Sequence, residues 1–329
     1  VYDRAALNLT SEDRAALEAE GRKPHWRFKL DREHTTFEDL IQGHVEVDGA
    51  SLSDPVLIRE DGRFLYTLPS IVDDIEFFIT HVIRGSDHIT NTGVQIQIIR
   101  ALGAAPPVFA HYSLLNGPEG KPLSKRDDAE RFSLRALRGA GYEPMALNAL
   151  LARLGTPDPM EPCLSLDELA AGFDIARLGR SDIRFDPADL ARANTACLHL
   201  LPYEAAKSRL AALDADLGPV FWEAVKPNLI LFRDAADWAR IVEGPVEPVI
   251  EEAEFAAAAA ATLPPEPWDE ATWGLWTDAV KQATGRKGKA LFMPLRLALT
   301  GLTHGPELKN LLPLIGRDRA KARLTGLTD

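Results

Sequence analysis

Cysteine is nearly missing from this chain. Cys163 and Cys197 are the only two in 329 residues, too few and too isolated for a disulfide framework or a four-ligand zinc site. A reducing compartment fits that usage. No apolar run approaches the roughly 18–20 residues that span a bilayer. Asp3, Arg4, Glu12, Asp13, Arg14, Glu18 and Glu20 interrupt residues 1–20, so no signal-peptide core forms there. Positive charge is short as well: 37 Lys and Arg stand against 49 Asp and Glu, a formal net charge of -12. That balance repels phosphates and argues against indiscriminate nucleic-acid binding. It leaves room for a specific RNA partner wherever cations gather on one face. A cytoplasmic, monomeric protein with no membrane partner is expected. The chain opens on Val1-Tyr2 rather than methionine, which reads as a fragment or a processed product.

What is present fills the outline. A 46% hydrophobic chain of this length can bury large cores and should divide into two or more domains. Thr10-Ser11-Glu12-Asp13, followed by Ala15, Leu17 and Ala19, reads as a capped helix ending at Gly21. Between Trp26 and Ile58 the pattern turns to alternation, as in Trp26–Leu30 and His44–Val47, which predicts a small β-rich region. Asp61-Gly62 marks a hairpin-type turn, and Phe64-Leu65-Tyr66 is expected to resume as a strand. Thr80–Gly85 reads as a buried strand, Thr90-Asn91-Thr92 as the cap of a helix reaching Leu102-Gly103, and Val108–Leu115 as the next strand. Strand, helix, strand in this spacing predicts a βαβ unit and a parallel sheet.

Ligands bind beyond the carboxyl ends of such strands, and two loops follow strands in that way: Arg84–His88 and Gly117–Arg126. The second contains Gly120-Lys121-Pro122-Leu123-Ser124-Lys125-Arg126. A glycine-bearing loop can bend close to an anion, and a lysine supplies a mobile point charge where negative charge builds up. A nucleotide polyphosphate suits it. After about residue 130 the pattern is helical, with segments expected at 134–140, 144–154, 166–172, 187–201, 202–213 and 219–232. The Ala-rich run Glu251–Thr262 reads as a linker or as a helix between two bundles. Trp268, Trp273 and Trp276 fall at helical spacing and are expected in a core.

At these motifs the chain resembles a family. Thr80–Thr92, T-H-V-I-R-G-S-D-H-I-T-N-T, is similar to the T-H-V-I-R-G-E-D-H-x-x-N-T signature of bacterial glutamyl-tRNA synthetases. Gly120–Arg126 resembles that family's G-K-K-L-S-K-R element. Asp61-Gly62, Tyr66 and Val72-Asp73-Asp74 resemble its D-G-x-P-T-Y-N-F-x-x-V-V-D-D block. Lys287–Arg296 and Thr300–Leu308 match its anticodon-binding end. The blocks fall in order and span nearly the whole chain. Several positions depart from the pattern: Pro122 replaces the first lysine of the loop, Ser86 replaces an acidic residue, and Thr67-Leu68-Pro69 replaces the Asn-Phe segment. No cysteine follows Tyr2-Asp3-Arg4, so no zinc is expected and no metal site is assigned. The family's P-T-G-x-x-H-x-G block occurs nowhere in the chain.

The resemblance implies a mixed α/β plus all-α fold. Residues 1–58 would be the C-terminal part of an inserted tRNA acceptor-binding region, and 59–116 the second half of a Rossmann-like class I catalytic domain. Residues 117–201 would hold the Lys-Leu-Ser-Lys-Arg-type loop and a helical stem-contact domain. Residues 202–329 would be the helical anticodon-binding domain, with a possible division near 250–265. The implied activity is glutamate-tRNA ligation, in which L-glutamate is activated with ATP, as its Mg2+ complex, and transferred to the 3′ end of tRNA-Glu. On that basis Lys125 is expected to stabilise the polyphosphate. Ser124, Arg126, Asp87, Leu114 and Leu115 complete the expected ATP site. Arg84 and Tyr66 are assigned to the glutamate carboxylate, Arg84 because a guanidinium fork pairs with a carboxylate; a structural ion pair with Asp73, Asp74 or Asp87 is its alternative. Arg286, Lys287 and Lys289 are expected to contact tRNA phosphates. Two other functions compete: a paralogue that attaches glutamate to tRNA-Asp, and a non-catalytic tRNA-binding fragment.

Overall fold

The computed structural model describes residues 1–121, 123 and 129–328, and the chain falls into two compact units. The first unit takes Val1–Leu123 with Leu154–Asp158 and Phe173–Phe185, apart from Pro122. It opens on helix α1 (Ser11–Ala19), where the Thr10 hydroxyl accepts from the Asp13 amide and the Asp13 carboxylate accepts from the Thr10 amide. That reciprocal cap is the one the sequence predicts. Strands β1 (Trp26–Arg27), β2 (His34–Asp39), β3 (Gly43–Asp48) and β4 (Val56–Ile58) form the expected β-rich region. Helix α2 (Thr67–Glu76), strand β5 (His81–Gly85), helix α3 (Ile89–Ala101), and strands β6 (Val108–Tyr112) and β7 (Leu115–Asn116) follow; β8 (Ile183–Arg184) pairs with β7.

The main sheet has the order β3-β2-β6-β5. β2 and β3 are an antiparallel hairpin, while β6 runs parallel to both β2 and β5. The βαβ unit is therefore as expected, and a third parallel strand joins it. The carboxyl ends of β2, β5 and β6 lie at one edge, with Arg84 opposite His111 in register. Helix α3 covers the sheet with Thr92, Gly93, Gln95, Ile96, Ile98 and Ile99. A Cβ on Gly93 would come within 2.8 Å of the Val47 side chain, so only glycine lets α3 approach β3 this closely. Ile71 of α2 packs on Ile98 and Ile99 beside Phe28 and Leu57.

Four local expectations change. Tyr66 does not continue a strand; after the turn at Asp61-Gly62 only Phe64 bridges back to Ile58, and Tyr66 is the N-cap of α2. Pro69 at the third helical position is compatible with a helix start, where no amide is needed. Thr90, Asn91 and Thr92 lie inside α3 rather than capping it, because His88 is the N-cap. β5 sits at the sheet edge and is only partly buried, with Ile83 56% exposed. The predicted strand Val108–Leu115 breaks after Tyr112 and resumes at Leu115, where pairing passes to β8.

The second unit takes the rest of the described chain and is helical. Its elements are α4 (Ala129–Phe132), α5 (Leu134–Ala140), α6 (Pro144–Arg153), α7 (Leu166–Ala171), α8 (Pro187–Leu200), α9 (Tyr203–Ala211), α10 (Pro219–Val225), α11 (Ala235–Glu243), α12 (Ala253–Ala261), α13 (Thr272–Thr284), α14 (Lys289–Thr300), α15 (Leu308–Ile315) and α16 (Arg317–Leu324). The predicted helix 219–232 stops at Val225 and gives way to two 3-10 turns. The Ala-rich run is a helix, α12, which buries Phe255, Ala256 and Ala259. Trp222, Trp276, Phe221, Leu291 and Leu311 share one core with Phe255 and Ala259, while Trp268 and Trp273 pack against its margin. No helix among the described residues is long and apolar enough to cross a membrane.

Candidate active site

At the carboxyl edge of the parallel strands the chain gathers charge. Gly85 ends β5, and a Cβ there would lie 2.6 Å from Asp87 Oδ1 and 2.9 Å from Leu114 Cδ2. The missing side chain therefore lets Asp87 and Leu114 close over the strand end. Arg84, half-buried, points its guanidinium along this edge. Its Nε donates to His111 Nε2 at 3.3 Å, and its Nη2 donates to Thr92 Oγ1 at 2.5 Å and to Gln95 Oε1 at 2.6 Å. All three partners are neutral acceptors. The expected alternative, an ion pair with Asp73, Asp74 or Asp87, does not form among the described residues, and Nη1 has no protein partner there.

Burial pulls the Arg84 pKa below its ordinary value, while nearby Tyr66, Asp74 and Asp87 draw it back up. Burial also raises the Asp74 carboxyl against the pull of Arg84. The guanidinium remains charged, since arginine does not lose its proton in proteins. A half-buried cation bonded only to neutral groups, with one nitrogen open, suits a carboxylate ligand. Tyr66, 57% exposed at the start of α2, stands near it.

Behind Arg84 is a group that sequence reasoning missed. His111 is fully buried, and its Nδ1 lies 2.6 Å from Asp39 Oδ2. Asp39 Oδ1 accepts from the backbone amides of Ile41, Gln42 and His111. Burial pushes the Asp39 carboxyl up, but these hydrogen bonds together with the His111 side chain bring it below the usual carboxylate range. Burial lowers the His111 pKa, against the opposing pull of Asp39. The one available signal was local: Thr35, Phe37 and Asp39 share the inward positions of β2, and a carboxylate there needs a partner.

The other expected residues divide. Lys125, Ser124 and Arg126 lie outside the described residues. Asp87 is in the 3-10 turn Ser86–His88, with His88 Nε2 3.8 Å from its Oδ2. Leu114 is half-buried at the strand edge, whereas the Leu115 carbonyl already accepts from the Leu123 amide. In the helical unit, Arg286 forks onto Glu252, with Nη1 2.9 Å from Oε1, and lies 4.5 Å over the Phe255 ring. That leaves Lys287 and Lys289 as the exposed cations of this turn. Arg296, in the apolar stretch of α14, donates Nη2 to the Pro306 carbonyl at 2.9 Å, while its buried Nη1 has no partner. An arginine inside Leu291–Leu299 was the signal that could have singled it out. No group of side chains suited to hold a metal ion occurs among the described residues.

Comparison with known proteins agrees with this layout. Residues 1–192 match the catalytic domain of the class I tRNA synthetases (E and Q), and residues 199–327 match an anticodon binding domain. The chain is 86% identical over 328 residues to glutamate–tRNA ligase 1 of Parvibaculum lavamentivorans, covering 100% of this chain and 73% of that protein. It is 59% identical to glutamate–tRNA ligase 2 of a Methylobacterium species, over 99% of this chain and 73% of the relative. Among solved structures it is similar to a glutamate tRNA ligase from Elizabethkingia meningosepticum in complex with its amino acid. That likeness has a TM-score of 0.80 at 25% identity and covers 97% of this chain and 71% of that one.

Proposed function

The chain belongs to the class I tRNA synthetases (E and Q), and from that premise we propose how its residues divide the work of glutamate–tRNA ligation. The reaction has two steps. A glutamate carboxylate oxygen bonds to the α-phosphorus of ATP as pyrophosphate leaves; a hydroxyl of the tRNA 3′ end then takes the acyl group and AMP leaves. Both steps depend on positioning and on charge stabilisation rather than on a side-chain nucleophile.

Arg84 binds a carboxylate of the substrate glutamate through its open edge, and Tyr66 donates its hydroxyl to the same group. The observation that carries this is the set of neutral partners around Arg84, which fixes the guanidinium without consuming its charge. Asp87, close over the strand end, serves the ATP ribose and the tRNA terminus, and backbone groups at Leu114 serve adenine. Lys125, flanked by Ser124 and Arg126, stabilises the polyphosphate of ATP, which enters as its magnesium complex; the loop sequence supports that assignment. In the helical unit, Lys287 and Lys289 contact tRNA phosphates. The protein works as a monomer in the cytoplasm.

The anticodon-binding match over residues 199–327 disfavours the tRNA-Asp paralogue, which resembles only the catalytic half. Pyrophosphate exchange by the full-length protein, dependent on glutamate, ATP and tRNA, tests the assignment. Arg84→Ala should weaken glutamate use by roughly tenfold to a hundredfold, the loss of a charged hydrogen bond, while ATP affinity holds. An unchanged glutamate KM in that variant would remove Arg84 from the site.

A further inference from the structure

Nothing in the ligation chemistry calls for a buried aspartate–histidine couple, yet one lies directly behind Arg84. Asp39 ends β2, His111 sits in β6, and Arg84 sits opposite His111 in β5. The three side chains meet only because the strands run parallel and end together. Asp39, ionised, can only accept, so the 2.6 Å contact requires the proton on His111 Nδ1. A neutral ring then has a bare Nε2, which faces Arg84 Nε at 3.3 Å and Thr92 Oγ1 at 2.8 Å. Arg84 Nε can only donate, and the Thr92 hydroxyl, which also lies 3.1 Å from the His88 carbonyl, is able to donate, so the tautomer is the one the arginine's hydrogen bond needs.

We infer that Asp39 and His111 are positioning residues for Arg84, holding one imidazole tautomer so that the guanidinium is fixed at Nε and Nη2 and offers Nη1 to the substrate carboxylate. The inference rests on the assignment of Arg84 to glutamate. A direct carboxylate partner would also fix the arginine, but it would compete with the substrate. The histidine relays the orientation and keeps the aspartate charge away from the open edge. Thr92 and Gln95 complete the hold from α3.

The backbone makes this testable with one atom. Asp39 Oδ1 is held by the amides of Ile41, Gln42 and His111. In Asp39→Asn the side-chain oxygen stays on those three donors, and the new NH2 faces His111 Nδ1. The ring must then carry its proton on Nε2, where it opposes the Arg84 N–H. Nitrogen NMR of the full-length protein labelled at histidine, assigned with His111→Gln, should show that proton on Nε2. In pyrophosphate exchange the glutamate KM should rise roughly tenfold to a hundredfold, as for a displaced binding group, with the ATP KM unchanged. A relocated proton with an unchanged glutamate KM overturns the inference, as does a proton that stays on Nδ1. If the asparagine variant does not fold, His111→Gln and His111→Leu decide. Glutamine can offer an oxygen near the Nε2 position and should keep glutamate use near normal, whereas leucine should not; equal losses overturn the inference. Arg84→Lys separates the two layers. A glutamate KM raised there but normal in Asp39→Asn sinks the positioning role alone, whereas a normal KM in Arg84→Lys sinks the assignment beneath it.

Discussion

Beneath Arg84 the first unit buries Asp39, Thr92, Gln95 and His111 as one bonded group. The helical unit instead buries Phe221, Trp222, Trp276, Leu291, Leu311 and their neighbours in a single apolar core. The difference fits the role proposed for each. A substrate carboxylate must be met by one charge in one orientation, and buried hydrogen bonds set direction where dispersion cannot. A long, flexible polyanion needs exposed cations on a rigid support, and packed side chains supply rigidity without direction. Arg323 is one exception among the described helices: fully buried, it donates to the carbonyls of Ile241 and Leu299, turning a charge into a tie between segments.

The largest expected effect breaks the comparison on the helical side. Trp222 is fully buried, packs 5.4 Å from the Phe232 ring and donates its indole N–H to the Leu201 carbonyl at 2.8 Å. Trp222→Ala should cost about 3–5 kcal/mol, the range for removing a large aromatic from a core. Thermal melting of the full-length protein measures it. A melt within a degree or two of the parent would mean that this core is not what stabilises the unit.

Next in size is a rate effect on the catalytic side. Lys125→Ala should lower pyrophosphate exchange by about 2–4 kcal/mol of transition-state stabilisation, by analogy with other donors to developing anions. Glutamate KM should change little, which sets Lys125 apart from Arg84. A near-normal exchange rate would take the polyphosphate role away from this lysine.

A smaller effect should appear at the basic turn. Removing both Lys287 and Lys289 should weaken tRNA binding a few-fold and reduce the salt dependence of the affinity. The slope should fall by about 0.7–0.9 for each phosphate that is no longer neutralised. Nitrocellulose binding at several salt concentrations reads both. An unchanged slope would mean that neither lysine meets a phosphate.

Local chemistry decides how much of this was legible in the sequence. The cap of α1 was readable because Thr10 and Asp13 are three residues apart, and the parallel strands because two apolar runs flank one helical, glycine-ended segment, even though the cap read at Thr90–Thr92 falls inside α3. The Arg84 position was readable from its motif, but its partners were not: Asp39 and His111 are 72 positions apart in the chain. Only the sheet order joins them, and no local pattern carries it. Tyr66 was misread because the turn at Asp61-Gly62 suggested a hairpin partner, whereas pairing ends at Phe64 and the chain turns into α2. The buried, unpaired Nη1 of Arg296 depends on which neighbours fail to reach it, and composition does not encode that.

The smallest effect concerns protons in the buried couple. Burial lowers the His111 pKa from its ordinary 6.5, so just below that pH the unfolded chain takes up a proton that the folded protein refuses. Stability is therefore fully present above about pH 6.5 and declines as the pH falls towards the lowered folded value. One proton can contribute no more than about 1.4 kcal/mol per pH unit. Asp39, held below the carboxylate range by its hydrogen bonds, adds a second loss in the same direction at lower pH, below its ordinary 3.8. His111→Gln should flatten the first decline, and the second should shrink without vanishing, because three backbone amides still hold Asp39 Oδ1. Urea midpoints of the parent and the variant between pH 7.5 and about pH 5 measure the first effect. If the two curves run parallel there, His111 is protonated as readily when folded as when unfolded, and the buried polar group that distinguishes this unit is wetter than its geometry implies.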